Sequence, residues 1–115
     1  MKHTEEQIKE LALKMILDIG VDYFFQDQIE VEYKEKLELF WGKEEPRGWL
    51  ISIGIMSHRY PTQPDSILIF FDDEKEEVLN YVESEGRTVP YTLKKDEEGK
   101  YYRHPLYDYI SDVKK

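Results

Sequence analysis

The chain has 115 residues, 40% of them hydrophobic, 14% aromatic and 36% charged, with 25 Asp and Glu against 16 Lys and Arg for a net charge of -9. This length suits one domain, residues 1–115, that buries about two-thirds of the surface its unfolded form exposes, and the composition is too apolar for disorder. The absence of cysteine excludes disulfides, thiolate nucleophiles and cysteine-ligated zinc, while an acid excess whose longest basic pairs are Lys94-Lys95 and Lys114-Lys115 repels phosphate backbones, so nucleic acid is not an expected partner.

The opening MKHTEEQIKELALKMILDIG has no uninterrupted apolar region after a basic start, and no stretch reaches the ~20 apolar residues of a membrane span. The expectation is a cytoplasmic protein with no membrane contact. Within this segment Thr4 and Gln7 have the spacing of a capping box, and Glu5 and Glu6 lie where the helix dipole favours them. Ile8, Leu11, Ala12, Met15, Ile16 and Ile19 recur at helical spacing before Gly20, predicting an amphipathic helix over residues 4–19.

From Gln28 the period becomes two. Ile29, Val31, Tyr33, Leu37, Leu39 and Trp41 share one parity, and Glu30, Glu32, Lys34, Lys36 and Glu38 the other, with Glu35 marking a bulge or bend. GKEEPRG reads as a turn. Trp49, Ile51, Ile53 and Ile55 alternate with Leu50, Ser52, Gly54 and Met56 in a second strand, and residues 67–71 form a third; both read as central.

Between those two strands SHRYPTQPDS is polar and punctuated by Pro61 and Pro64. The nine residues from His58 to Ser66 exceed the ~2–5 typical of hairpin loops, so the segment either has a function or crosses the sheet. After the third strand, DDEKEEVLNYVESEG allows two readings. As a helix over 74–85, Asp73 caps, Val78, Leu79 and Val82 form a stripe, and Gly86 stops it; as a hairpin, DDEK turns and VLNYV returns as a strand. The helix is preferred because cap, stripe and glycine agree. TVPYTLKK and KYYRH flank DEEG as a hairpin, with Pro90 pointing to an edge position, and PLYDYISDV is expected to close the chain as a short helix. Together these elements define an α+β fold: an N-terminal amphipathic helix packed on a mainly antiparallel sheet of four to five strands, with one or two short additional helices.

Candidate sites follow from residue type. His58, Arg59 and Tyr60 are held together by prolines, and arginine and tyrosine are the residues that dominate interface hot spots; the alternative is a solvated connection. Seven of the nine tyrosines lie at or after position 60. In KYYRH the two faces of a strand each receive one, so at least one of Tyr101 and Tyr102 is expected to point outward. His3, His58 and His104 are spread singly, without metal-ligand spacing, and no metal or cofactor is expected. The acids of FFDDEKEE lack any accompanying phosphate loop, and no serine sits in a nucleophile-elbow context, so no catalytic residue is assigned.

The leading expectation is a non-enzymatic, acidic protein-binding module, an inhibitor or immunity-type protein that neutralises a basic partner, with His58, Arg59, Tyr60, Tyr101 and Tyr102 as contact residues. In composition alone the chain resembles bacterial immunity proteins and phage-encoded inhibitors. One alternative is a small-ligand or enzymatic pocket on the concave face of the sheet, with Trp41, Trp49, His58, Arg59 and Tyr60 as lining. Another is a structural homodimer paired through an exposed edge strand.

Overall fold

The computed structural model describes residues 2–39, 45–56, 64–83 and 91–105. The expected capping box is present. The Thr4 hydroxyl accepts the Gln7 N–H at 3.2 Å, and the Gln7 side-chain carbonyl accepts the Thr4 N–H at 2.9 Å, starting α1 (Glu5–Asp18). Gly20, at φ +82°, supplies the left-handed residue that ends the helix, and its N–H reaches the Leu17 carbonyl. Ile8, Ala12, Met15 and Ile16 form the fully buried stripe of α1. No helix among the described residues is long and apolar enough to cross a membrane.

Among the described residues six strands follow: β1 (Phe24–Lys34), β2 (Gly48–Met56), β3 (Pro64–Asp72), β4 (Glu77–Glu83), β5 (Tyr91–Lys95) and β6 (Tyr101–Pro105). They lie in the sheet in chain order, each antiparallel to the next. Alternation then decides the layers. Trp49, Ile51, Ile53 and Ile55 of β2 and Ile67, Ile69 and Phe71 of β3 are buried on the face that receives α1. Each fully buried isoleucine there stabilises the fold by roughly 1.5–3 kcal/mol. The opposite face carries a smaller cluster of Leu37, Phe70 and Val82, flanked by Leu39, Leu50, Leu68 and Leu79.

Gly48 opens β2 because the chain passes close to β3 at this point. A Cβ there would lie 2.1 Å from the Phe71 carbonyl oxygen, a backbone atom that cannot move aside without shifting the strand.

Three sequence expectations are corrected. Residues 77–83 form a strand, so the preferred helix over 74–85 gives way to the hairpin reading, and the sheet has six strands rather than four or five. The supposed cap Asp73 spends its carboxylate elsewhere, while Asp72 Oδ1 accepts the N–H groups of Glu74 and Lys75 and folds a turn. β4 carries a bulge: Asn80 pairs with Phe70 and Val78 with Phe71, leaving Leu79 as the extra residue. That insertion breaks the period of two and produces the spacing of Val78, Leu79 and Val82 that imitates a helical stripe.

Second, β1 runs from Phe24 to Lys34 and stops short of the expected Trp41. The chain bends at Glu35 and Lys36, where the break in the pattern lies. Leu37, tied by its N–H to the Pro46 carbonyl at 2.8 Å, packs on the face away from α1. Third, β2 and β3 are antiparallel neighbours paired out to Met56 and Pro64, so the alternative of a crossing between non-adjacent strands gives way to a connection between adjacent ones; residues 57–63 themselves lie outside the described residues. Among the described residues α1 is the one helix; the expected closing helix of PLYDYISDV lies largely outside them.

Candidate functional site

His58, Arg59, Tyr60 and Trp41 lie outside the described residues. The other sequence candidates separate by face. Tyr101 is buried, with Lys14 at 5.4 Å and Lys95 at 5.3 Å from its ring centroid, and its N–H donates to Asp18. Its ring helps fasten α1 to the β5–β6 hairpin. Tyr102 points the other way, is 42% exposed, and meets His104 edge-on. Trp49 is buried beneath α1 and donates its indole N–H to Asp73 at 2.9 Å, so it lines no open concave surface.

The strongest surface feature is the β1 edge. Among the described residues β1 is one of the two outer strands, with β6 at the other side, and its exposed residues include Asp27, Glu30 and Glu32, with Phe25 at its beginning. Glu30, Glu32 and the helix residue Glu5 line a cleft of about 380 Å³ together with Lys9, Val31, Leu50 and Ser52. Three acidic residues and one lysine therefore border one recess at the sheet edge, Glu30 and Glu32 from the strand and Glu5 and Lys9 from the helix, with a partly apolar lining. Glu32 meets Lys34 at 3.9 Å on the surface, a contact of about 0–1 kcal/mol that leaves the carboxylate free to exchange partners. An outer strand also presents backbone N–H and C=O groups that another extended chain can pair with.

Two polar networks fasten the fold around this edge. At one end, Asp73 Oδ2 accepts the Lys2 N–H at 2.6 Å, and Oδ1 accepts from Trp49 and from His3 Nδ1 at 3.0 Å. Asp73 is 2% exposed. Burial pushes its carboxyl upward, but the hydrogen bonds from His3, the Lys2 N–H and Trp49 outweigh that and hold it at about 2. His3 continues through Nε2 to Glu76 Oε1 at 2.9 Å. A histidine beside a buried carboxylate resembles part of a catalytic dyad, but both ring nitrogens are taken by carboxylates, so neither is offered to a substrate. Among the described residues no group of three His, Asp or Glu is placed to hold a metal ion.

At the other end, Glu83 accepts from the hydroxyls of Tyr23 and Tyr81 and, at 3.5 Å, from Arg103 Nη2, while the Arg103 guanidinium lies 5.6 Å from the Tyr81 ring centre. Burial and the bond to Glu83 push the Tyr23 hydroxyl up to about 12, and burial with the Glu83 charge pushes Tyr81 upward too. These tyrosines stay protonated donors. The network ties the entry to β1 to β4 and β6, fixing the acidic edge strand on the sheet.

The acidic cleft was not visible as a site in the sequence. Its one signal was the alternation of Glu30 and Glu32, which reads equally well as an ordinary wet face. Comparison with protein families, with curated proteins and with solved structures finds no significant match to this chain.

Proposed function

We propose that the protein is a non-enzymatic binding module for a basic protein, acting in the manner of an inhibitor or immunity protein by occupying and neutralising its partner. One observation carries this reading: β1, an outer strand of the sheet among the described residues, and the first turn of α1 supply Glu30, Glu32 and Glu5 to the lining of one partly apolar cleft. Carboxylates arranged this way attract lysine and arginine over distances of about a Debye length, and the net charge of -9 adds to the steering. The apolar members Val31 and Leu50 offer contact area that charge alone lacks. Tyr102, exposed on β6, provides a second patch of amphipathic contact.

The test compares proteins captured from lysate by the native chain and by the triple variant Glu5→Lys, Glu30→Lys, Glu32→Lys. A basic protein is expected on the native chain, held more strongly at about 0.05 M than at about 0.3 M salt, and lost on the variant. Equal capture by both chains would remove the cleft from the account. Pairing of the same edge with a second copy is the competing use of β1, and light scattering showing a stable dimer would favour it.

A further inference from the structure

We propose that His3 is a proton-operated latch, which when protonated clamps the β3–β4 turn to residues 2–4 ahead of α1 and releases the turn at Glu76 when it loses its proton. The geometry requires two donors. Nδ1 lies 3.0 Å from Asp73 Oδ1 and Nε2 lies 2.9 Å from Glu76 Oε1. Ionised carboxylates only accept, and a neutral imidazole carries one N–H, so both contacts are hydrogen bonds only when the ring is the imidazolium.

Which contact fails follows from the surroundings. Asp73 is buried and also holds the Lys2 N–H and the Trp49 indole, whereas the Glu76 side chain is 59% exposed and can turn into water. On deprotonation the remaining N–H stays with Asp73, and a ring lone pair faces the Glu76 carboxylate. Glu76 is poised for release because its backbone sits at φ 55°, a conformation costly for a residue with a side chain. Losing the His3 contact removes one of the bonds that keep it there, the other being its N–H to the Asp72 carbonyl at 2.9 Å.

The remaining charged and titratable groups around the latch come from several elements. The turn supplies Glu74 and Lys75, and Lys2 binds the Glu74 carbonyl through its ammonium group. Arg47, whose carbonyl accepts the Asp73 N–H, directs its guanidinium to Glu35, and Tyr33 of β1 lines the same cleft of about 520 Å³ as Lys2 and Asp73. Glu5 and Glu6 stand in the first turn of α1. Among these side-chain classes, imidazole is the one that ordinarily changes charge between about pH 5 and about pH 8.

Amide exchange of the intact protein, followed by NMR across that range together with the His3 ring resonances, tests the latch. After correction for intrinsic exchange, the Lys75, Glu76 and Glu77 amides should lose about tenfold in protection, the amount expected for one charge-assisted hydrogen bond, with the midpoint of the His3 ring titration. His3→Gln should abolish this transition. Glu76→Gln, an exposed change that leaves the core intact, should shrink it. Unchanged turn protection through the ring titration, or the same transition in His3→Gln, would overturn the proposal.

Discussion

Asp73→Asn removes one charge and almost no volume, and the structure says what that does. The native carboxylate receives the Lys2 N–H on one oxygen and the Trp49 and His3 donors on the other. An amide offers one oxygen only, so in either orientation its NH2 faces a donor. At least one buried donor loses its acceptor, which costs about 1–3 kcal/mol. A second route gives a similar magnitude: holding the carboxyl at about 2 instead of 3.8 corresponds to about 2 kcal/mol of native-state stabilisation. Because the folded value lies below the unfolded one, this contribution is complete above about pH 4 and is lost as the pH falls through about 2. Urea unfolding followed by far-ultraviolet circular dichroism should therefore show Asp73→Asn less stable by about 2–3 kcal/mol at neutral pH. The gap to the native chain should narrow as the pH is lowered from about 5 towards about 2.5. A loss below about 0.5 kcal/mol, the usual range for a neutral surface change, or a gap independent of pH, would refute the reasoning.

Other consequences are equally specific. Gly48→Ala should cost at least about 2 kcal/mol by the overpacking scale, because its Cβ would strike the Phe71 carbonyl. Gly54→Ala should cost less, since the nearest atoms it meets are side-chain atoms of Gln28, Oε1 at 2.1 Å and Cβ at 2.9 Å, rather than backbone; comparing the two unfolding midpoints checks this. Tyr23→Phe and Tyr81→Phe should each lose about 1–2 kcal/mol and be non-additive, because both hydroxyls donate to Glu83, and a double-mutant cycle measures the coupling. Both folded pKa values are raised, so the stabilisation is present below about pH 10; for Tyr23 it disappears as the pH rises through about 12, which tyrosine ultraviolet absorbance in the two variants should register. Thr4→Ala removes the capping box and should cost about 1 kcal/mol, read as a loss of thermal stability.

The helix was legible in the sequence because its signals are local: Thr4, Gln7 and Gly20 each act within one turn of themselves. The central strands were legible because β2 and β3 keep strict alternation over a buried core. β4 was not, because the Leu79 bulge shifts the period and the Asp72–Asp73 pair imitates a helix start while serving a turn and a distant network. β1 was misplaced at its end because Leu37 and Leu39 keep the parity of Ile29 and Val31 although the bend at Glu35 carries them to the other face. The contacts that matter most to the candidate site join residues far apart in sequence, Lys2 and His3 with Asp73 and Tyr23 with Glu83. No spacing rule connects them. In the acidic cleft the same limit applies: Glu5 belongs to one local pattern and Glu30 and Glu32 to another, and only the packing of α1 against the edge of the sheet brings them together.

The β1 edge with its acidic residues is proposed above as a docking site for basic polypeptide. Titrating the labelled protein with a peptide of alternating lysine and valine, and mapping the amide shifts, tests it most directly. Saturable shifts are expected along residues 27–34 and at Glu5 and Lys9, weakening as salt is added and absent in the Glu5→Lys, Glu30→Lys, Glu32→Lys variant. Shifts scattered over the acidic surface, or the same shifts in the variant, would contradict it.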